Sequence, residues 1–143
     1  METSETLMAR FSQLYNSLDN AILDSLHEVY HCQVQFIDPV GEHRGLKALD
    51  GYFRQLLTNV DYCHFFITDC QYDANQAVVC WQMKYAHPRL QRGRELMLEG
   101  ISRLRFADQR IIYQRDYYDL GAMLYEHIPL LQQIILGIKR RMR

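Results

Sequence analysis

The stretch Arg115-Asp116-Tyr117-Tyr118-Asp119 gathers two carboxylates, a guanidinium and two phenols in consecutive positions, directly before a long apolar segment. Carboxylates beside phenols are the means of general acid/base work, in which a proton is taken from one atom and returned to another. A further carboxylate, Asp38, precedes Pro39. The turn there holds it at a fixed angle, as a base or as an Asx-type turn cap. His27 and His31 stand four apart and share a face if helical, but the spacing supplies no third ligand, and no metal is expected. Cys32, Cys63, Cys70 and Cys80 lack C-x-x-C spacing, so buried reduced thiols are the expectation. No G-x-S-x-G elbow, phosphate loop or dinucleotide glycine pattern is present, and no cofactor is expected.

The chain that must position these groups has 143 residues, a formal charge of −1 and 48% hydrophobic residues. That length suits one domain, residues 1–143, which buries roughly two-thirds of the surface its unfolded chain exposes. The near-neutral charge gives no broad attraction to nucleic acid. The acidic, polar start and the short apolar runs carry neither a secretory signal nor a spanning helix, so a cytoplasmic location is the expectation.

Leu7, Phe11, Leu14, Leu18, Ile22, Leu26 and Val29 recur in steps of three and four, the spacing of one helical face. A break is expected near Asn16–Asn20, where Asn16, Ser17, Asp19 and Asn20 can cap a new start. Val34 and Phe36 alternate with Gln33 and Gln35 as a short strand, ended by Pro39, Gly41 and Gly45. Leu46, Leu49, Tyr52, Phe53, Leu56 and Leu57 restore helical spacing. Residues 62–73, 76–86, 94–106 and 110–119 then read as four long strands of an antiparallel meander, rich in β-branched, aromatic and cysteine residues. Beyond them residues 121–143 form a helical extension: a turn around 121–127, then an amphipathic helix from about Ile128, because Pro129 suits only a first turn. Its basic tip, Lys139, Arg140, Arg141 and Arg143, suits a helix C-terminus. The stripe is expected to pack on its own domain or in a dimer, ahead of a partner or a membrane surface. Helices first and a sheet second is an α+β order.

Three segments in that order carry a family resemblance: the helix FSQLYNSLDN with Tyr15, the turn VQFIDPVGEHRG, and the strand RIIYQRDYYDLG. The chain resembles the nuclear transport factor 2-like superfamily, SnoaL-like branch. The turn is similar to that of ketosteroid isomerases and the last strand to that of limonene-1,2-epoxide hydrolases. The resemblance implies an α+β cone (cystatin-like), with N-terminal helices packed on a curved, mostly antiparallel sheet around a pocket, plus a C-terminal helix. It also implies homodimers through the outer sheet face. It does not name a reaction, because the same cone carries isomerases, dehydratases, cyclases, hydrolases and non-catalytic proteins.

Carried over residue by residue, Asp38 matches the general base of the isomerases and Tyr15 their oxyanion donor. Ser102 stands where their second, acidic donor would be. Asp116 matches the last-strand carboxylate of the hydrolases. Gln82 and Lys84 fall on the hydrolases' Arg-x-Asp pair, and Phe36 and Asp38 on their water-holding positions. If Lys84 faces the interior, strand parity takes Cys80 and Gln82 with it and turns Trp81, Met83 and Tyr85 outward. In the last strand Ile112, Gln114, Asp116 and Tyr118 share one face, and Tyr113, Arg115, Tyr117 and Asp119 the other. The expected site is thus Asp38, Asp116 and Tyr15 for chemistry, with Lys84, Gln82, Gln114, Ser102, Tyr118 and Phe36 around the ligand. A lysine between the two aspartates would depress their pKa values. The expected partner is a small hydrophobic or carbonyl-containing molecule. Two functions stay open: cofactor-free acid/base catalysis of isomerase, dehydratase or hydrolase type, or a non-catalytic binding or interaction module of the same fold.

Overall fold

A computed structural model describes residues 2–123 and 129–143. The first helix, α1, runs from Glu2 to Asn16 and buries Leu7, Phe11, Leu14 and Tyr15. The break comes where the capping residues foretold it, and the Asp19 carboxylate accepts the Ile22 amide at 2.7 Å. The next segment, Ile22–Glu28, is a 3-10 helix and not a second α-helix. Three residues per turn bring Leu23, Leu26 and Val29 inward and leave Ile22 half-buried.

Strand β1 (Tyr30–Ile37) buries Val34 and Phe36 as their alternation requires, and also Tyr30. A three-residue strand, β2 (Glu42–Arg44), pairs antiparallel with it, at a place where the sequence reads as turn alone. Helix α2 (Leu46–Asn59) comes next, with Leu49 and Phe53 in the core. Then come β3 (Tyr62–Tyr72), β4 (Gln76–Ala86), β5 (Leu96–Ala107) and β6 (Arg110–Tyr118). The sheet order is β2-β1-β6-β5-β4-β3, with β1 and β6 parallel and every other pair antiparallel. The helices lie on one face of this curved sheet, and the core fills the space between.

Two strand faces differ from the parity reading. In β4 it is Trp81, Met83 and Tyr85 that are buried, while Gln82 and Lys84 are on the other face. Gln82 there donates to Glu99, and the Lys84 ammonium lies 5.5 Å from the Phe66 ring centre. The side of the strand with more apolar area turns inward, and parity then carries Cys80, Gln82 and Lys84 out. In β6 the pairing passes from Arg105–Tyr113 to Phe106–Ile111, so Ile112 is an extra residue. A bulge of this kind reverses the faces, and Ile111, not Ile112, reaches the core.

All four cysteines are free, but only Cys63 is buried, its thiol pushed up to about 12 by burial. Helix α3 (Leu120–Met123) comes after β6, and α4 (Pro129–Met142) begins on its proline. Ile128 and most of the expected turn lie outside the described residues. Ile134, Ile138 and Met142 of α4 are exposed in this single chain, and Lys139 pairs with Asp119 at 3.2 Å.

Candidate active site

Between the helix layer and the concave face of the sheet is a cavity of about 360 Å³. Its wall is mostly apolar: Phe36 from β1, Phe53 and Leu56 from α2, Phe65 from β3, Trp81 and Met83 from β4, and Leu98 from β5. Asp38, Asp116, Tyr15, Tyr52, Tyr118, His43, Gln55 and Asn59 are the polar groups among the described lining residues.

Asp38 lies just past the end of β1 and is 8% exposed. Its Oδ1 accepts the amides of Val40 (2.9 Å) and Gly41 (3.0 Å), so the Asx-type cap is made. Its Oδ2 accepts the hydroxyl of Tyr52 in a short hydrogen bond. Cap and pocket carboxylate are one residue, each oxygen serving one purpose. The Tyr52 ring is stacked on His43 at 4.0 Å between centres, and the His43 Nε2 is buried without a hydrogen-bond partner among the described residues. Burial and then the bond to Asp38 raise the Tyr52 phenol and keep it a donor.

Asp116 stands within β6, with no turn to serve. Its Oδ1 accepts Ser102 Oγ (2.5 Å) and Gln114 Nε2 (2.9 Å), and Ser102 in turn accepts the indole N–H of Trp81 at 2.9 Å. Its Oδ2 has no hydrogen-bond partner among the described residues, yet it is not sealed from solvent, so it opens to the cavity. Burial pushes this carboxyl up to about 7; the two hydrogen bonds work against that, and the charge of Asp38 adds to it. The expected lysine between the two acids is absent from the cavity, so the shift is upward where a depression was expected.

Behind Asp116 three side chains close a ring. The Tyr30 hydroxyl donates to Gln114 Oε1 (2.6 Å), Gln114 Nε2 donates to Tyr15 Oη (3.2 Å), and Tyr15 and Tyr30 share a bond of 2.7 Å. An amide oxygen only accepts, so the Tyr30 proton is committed to Gln114, and Tyr15 must donate to Tyr30. Tyr15 lines the cavity, but its one hydroxyl proton is already used, which opposes the oxyanion-donor role expected for it.

Trp81 reaches the cavity because Gly100 lies directly across from it on β5. A Cβ on Gly100 would stand 2.3 Å from Trp81 Cζ2, which no side chain permits. The pentapeptide 115–119 divides as its alternation requires: Asp116 and Tyr118 line the cavity, while the Arg115 guanidinium lies 5.2 Å from the Tyr117 ring centre on the outer face. Residues 11–114 match the SnoaL-like domain family over more than half of the chain. The chain belongs to that family.

No curated protein sequence matches the chain. Solved structures of similar fold include a hypothetical protein of Catenulispora acidiphila, with a ketosteroid isomerase-like fold, in complex with trimethylamine: 14% identity over 85% of this chain and 91% of that one, TM-score 0.71. Another is an NTF2-like protein of unknown function from Burkholderia pseudomallei, at 15% identity over 85% and 97%, TM-score 0.73. A third is TerC, co-crystallised with polyporic acid, at 12% identity over 85% and 95%, TM-score 0.72. At these identities the likeness shows the fold.

Within this SnoaL-like cone the structure brings together Asp38, Asp116, Tyr15, Tyr118 and Phe36 of the expected residues. Ser102 and Gln114 lie one layer back, as donors to Asp116, and Gln82 and Lys84 are outside. Sequence reasoning missed Tyr52, Trp81, His43 and Tyr30. Tyr52 carried a signal, since it falls on the apolar face of α2 that Phe53 and Leu56 share. Among the described residues no group of three His, Cys, Asp or Glu side chains is arranged to hold a metal, and His31 instead bonds Asp108 at 3.1 Å.

Proposed function

We propose that this SnoaL-like protein binds a small, largely apolar organic molecule in the cone cavity and exchanges protons with it without a cofactor. Asp38 is the base. Asp116 is the proton-transfer partner, giving its proton to the most basic atom of the ligand. The observation that carries the reading is that both carboxyls line one apolar cavity in different settings, one with both oxygens held by two amides and a phenol, the other held by two side-chain donors on one oxygen with its second oxygen open. Environments that set two carboxyls apart are what separates an acid from a base. The Catenulispora protein and TerC, which share the fold, were each crystallised with a small organic molecule, which supports the cavity as a ligand site.

The test is deuterium exchange at the carbon next to the carbonyl of apolar cyclic ketones, monitored by NMR. Wild-type protein should accelerate exchange, with losses of about 100-fold or more in D38N and in D116N. Retention of a small molecule in native mass spectrometry, with no exchange on any ketone, would favour the binding-module reading. One observation favours that second reading: both oxygens of Asp38 already serve the protein. The outer sheet face, where Phe66, Val78, Met97, Ile101 and Tyr117 are exposed, supports pairing of two cones there. Ile101→Glu should then yield monomers in analytical ultracentrifugation.

A further inference from the structure

The charge of the cavity wall narrows the ligand beyond apolar and small. Among the described lining residues there are two carboxyls and no lysine or arginine, and the remaining polar side chains of α2, Gln55 and Asn59, are uncharged. An anionic ligand would find two acidic groups and no basic side chain of Lys or Arg to pair with. A buried carboxyl without a counter-ion is costly to ionise, and a cation placed beside it removes that cost. The open oxygen of Asp116 offers the place. Trp81 is tied to Asp116 through Ser102, and Tyr118 stands two residues on along the same face of β6. The Trp81 and Tyr118 rings meet edge-on with centres 6.1 Å apart. Aromatic faces attract alkylammonium groups and shelter their carbons from water.

We propose that the cavity takes a small organic amine, bound as its ammonium ion with Asp116 as counter-ion and with the Trp81 and Tyr118 rings against its carbon substituents. This rests on reading the cavity as the ligand site and identifies the basic atom of the ligand as nitrogen. When Asp116 is protonated, the nitrogen lone pair takes its proton. The O–H bond breaks, an N–H bond forms, and a carboxylate faces an ammonium. When the amine arrives already charged, the Asp116 proton leaves to solvent.

The probes are three molecules of one shape: phenethylamine, 2-phenylethanol and phenylacetate. Trp81 is the only tryptophan of the chain and lines the cavity, so its fluorescence reports binding at this site. The amine should bind about tenfold or more tightly than the alcohol, and the acid should bind most weakly. In D116N the amine should lose that advantage while the alcohol keeps its affinity, which also shows that the variant is folded.

A second readout is pH. The titratable groups facing the cavity are Tyr15 from α1, Asp38 from the turn after β1, His43 from β2, Tyr52 from α2, and Asp116 and Tyr118 from β6. Burial raises all three phenols, so they stay neutral near pH 7. Amine affinity should rise with pH through about 7, where the Asp116 carboxyl is set. The rise should persist in His43→Gln and vanish in D116N. Equal binding of amine and alcohol, or tighter binding of phenylacetate, overturns the amine and leaves the cavity reading standing. Failure of all three to bind overturns both.

Discussion

Asp38 and Asp116 face the same cavity and are held in opposite ways. Asp38 is fixed by its neighbours in sequence: the amides of Val40 and Gly41 and the phenol of Tyr52, fourteen residues on. The donors of Asp116 are as near in sequence, Ser102 on the adjoining strand and Gln114 two residues back, but they are themselves held from afar, Ser102 by Trp81 and Gln114 by Tyr15 and Tyr30 from the N-terminal part of the chain. The turn at Asp38 supplies two backbone N–H donors to one oxygen, and Tyr52 occupies the other. Asp116 has only side-chain donors, both on one oxygen, and burial raises its carboxyl above the usual carboxylate range. The difference teaches that the setting of Asp116 is a product of the whole fold and that of Asp38 of one turn and one helix, so the setting of Asp116 should be the more easily broken.

The largest expected effect is at Gln114. Gln114→Leu leaves the Tyr30 proton without its acceptor and takes a donor from both Tyr15 and Asp116. A loss of about 3–5 kcal/mol should appear as a lower urea midpoint. Gly100→Ala comes next: the added Cβ must displace the Trp81 ring. The cost should be about 1–3 kcal/mol, with a red shift of the fluorescence as the indole leaves its buried seat. Third is the pH dependence of stability. The Asp116 carboxyl is raised from 3.8 to about 7 on folding, so the folded chain holds an extra proton between those values. Its stabilising effect is complete below about pH 4 and is lost as pH rises to about 7, with a slope of at most about 1.4 kcal/mol per pH unit. D116N should remove that slope, as seen by comparing urea midpoints of the two proteins across this range. The smallest effect is at Asp38: Tyr52→Phe removes one donor from it while the two amides remain. About 1 kcal/mol should be lost in the same denaturation assay. Equal losses in Tyr52→Phe and Gln114→Leu would contradict the asymmetry.

Much of the scaffold was legible because burial imposes simple periods. Leu7, Phe11 and Leu14 foretold the buried face of α1, and Val34 and Phe36 that of β1. The four meander strands differ from expectation only near their ends, where hydrogen bonding and not composition sets the limit. Three features escaped for physical reasons. Strand β2 is three polar residues long, too short for any period to show. Helical spacing after Asp19 ran on through a 3-10 segment, whose tighter turn buries Leu23 in place of Ile22. In β4 both faces carry sizeable side chains, so parity had to be anchored by a choice, and anchoring it on Lys84 turned the strand over. The site suffered accordingly: Lys84 and Gln82 were placed inside and Trp81 outside. The β6 residues nearest the cavity, Asp116 and Tyr118, were placed correctly because they lie beyond the Ile112 bulge.

The ring of Tyr15, Tyr30 and Gln114 has one more consequence. Each of its members gives a proton to the next, and the last gives to the first, so the circuit has no free end. A proton-conducting wire needs an entrance and an exit, and its links must be able to turn over one after another. The link from this circuit to Asp116 is an amide N–H, which does not give up its proton near neutrality. Asp116 is therefore insulated from the far side of the core, and every proton it takes or gives must pass through the mouth of the cavity.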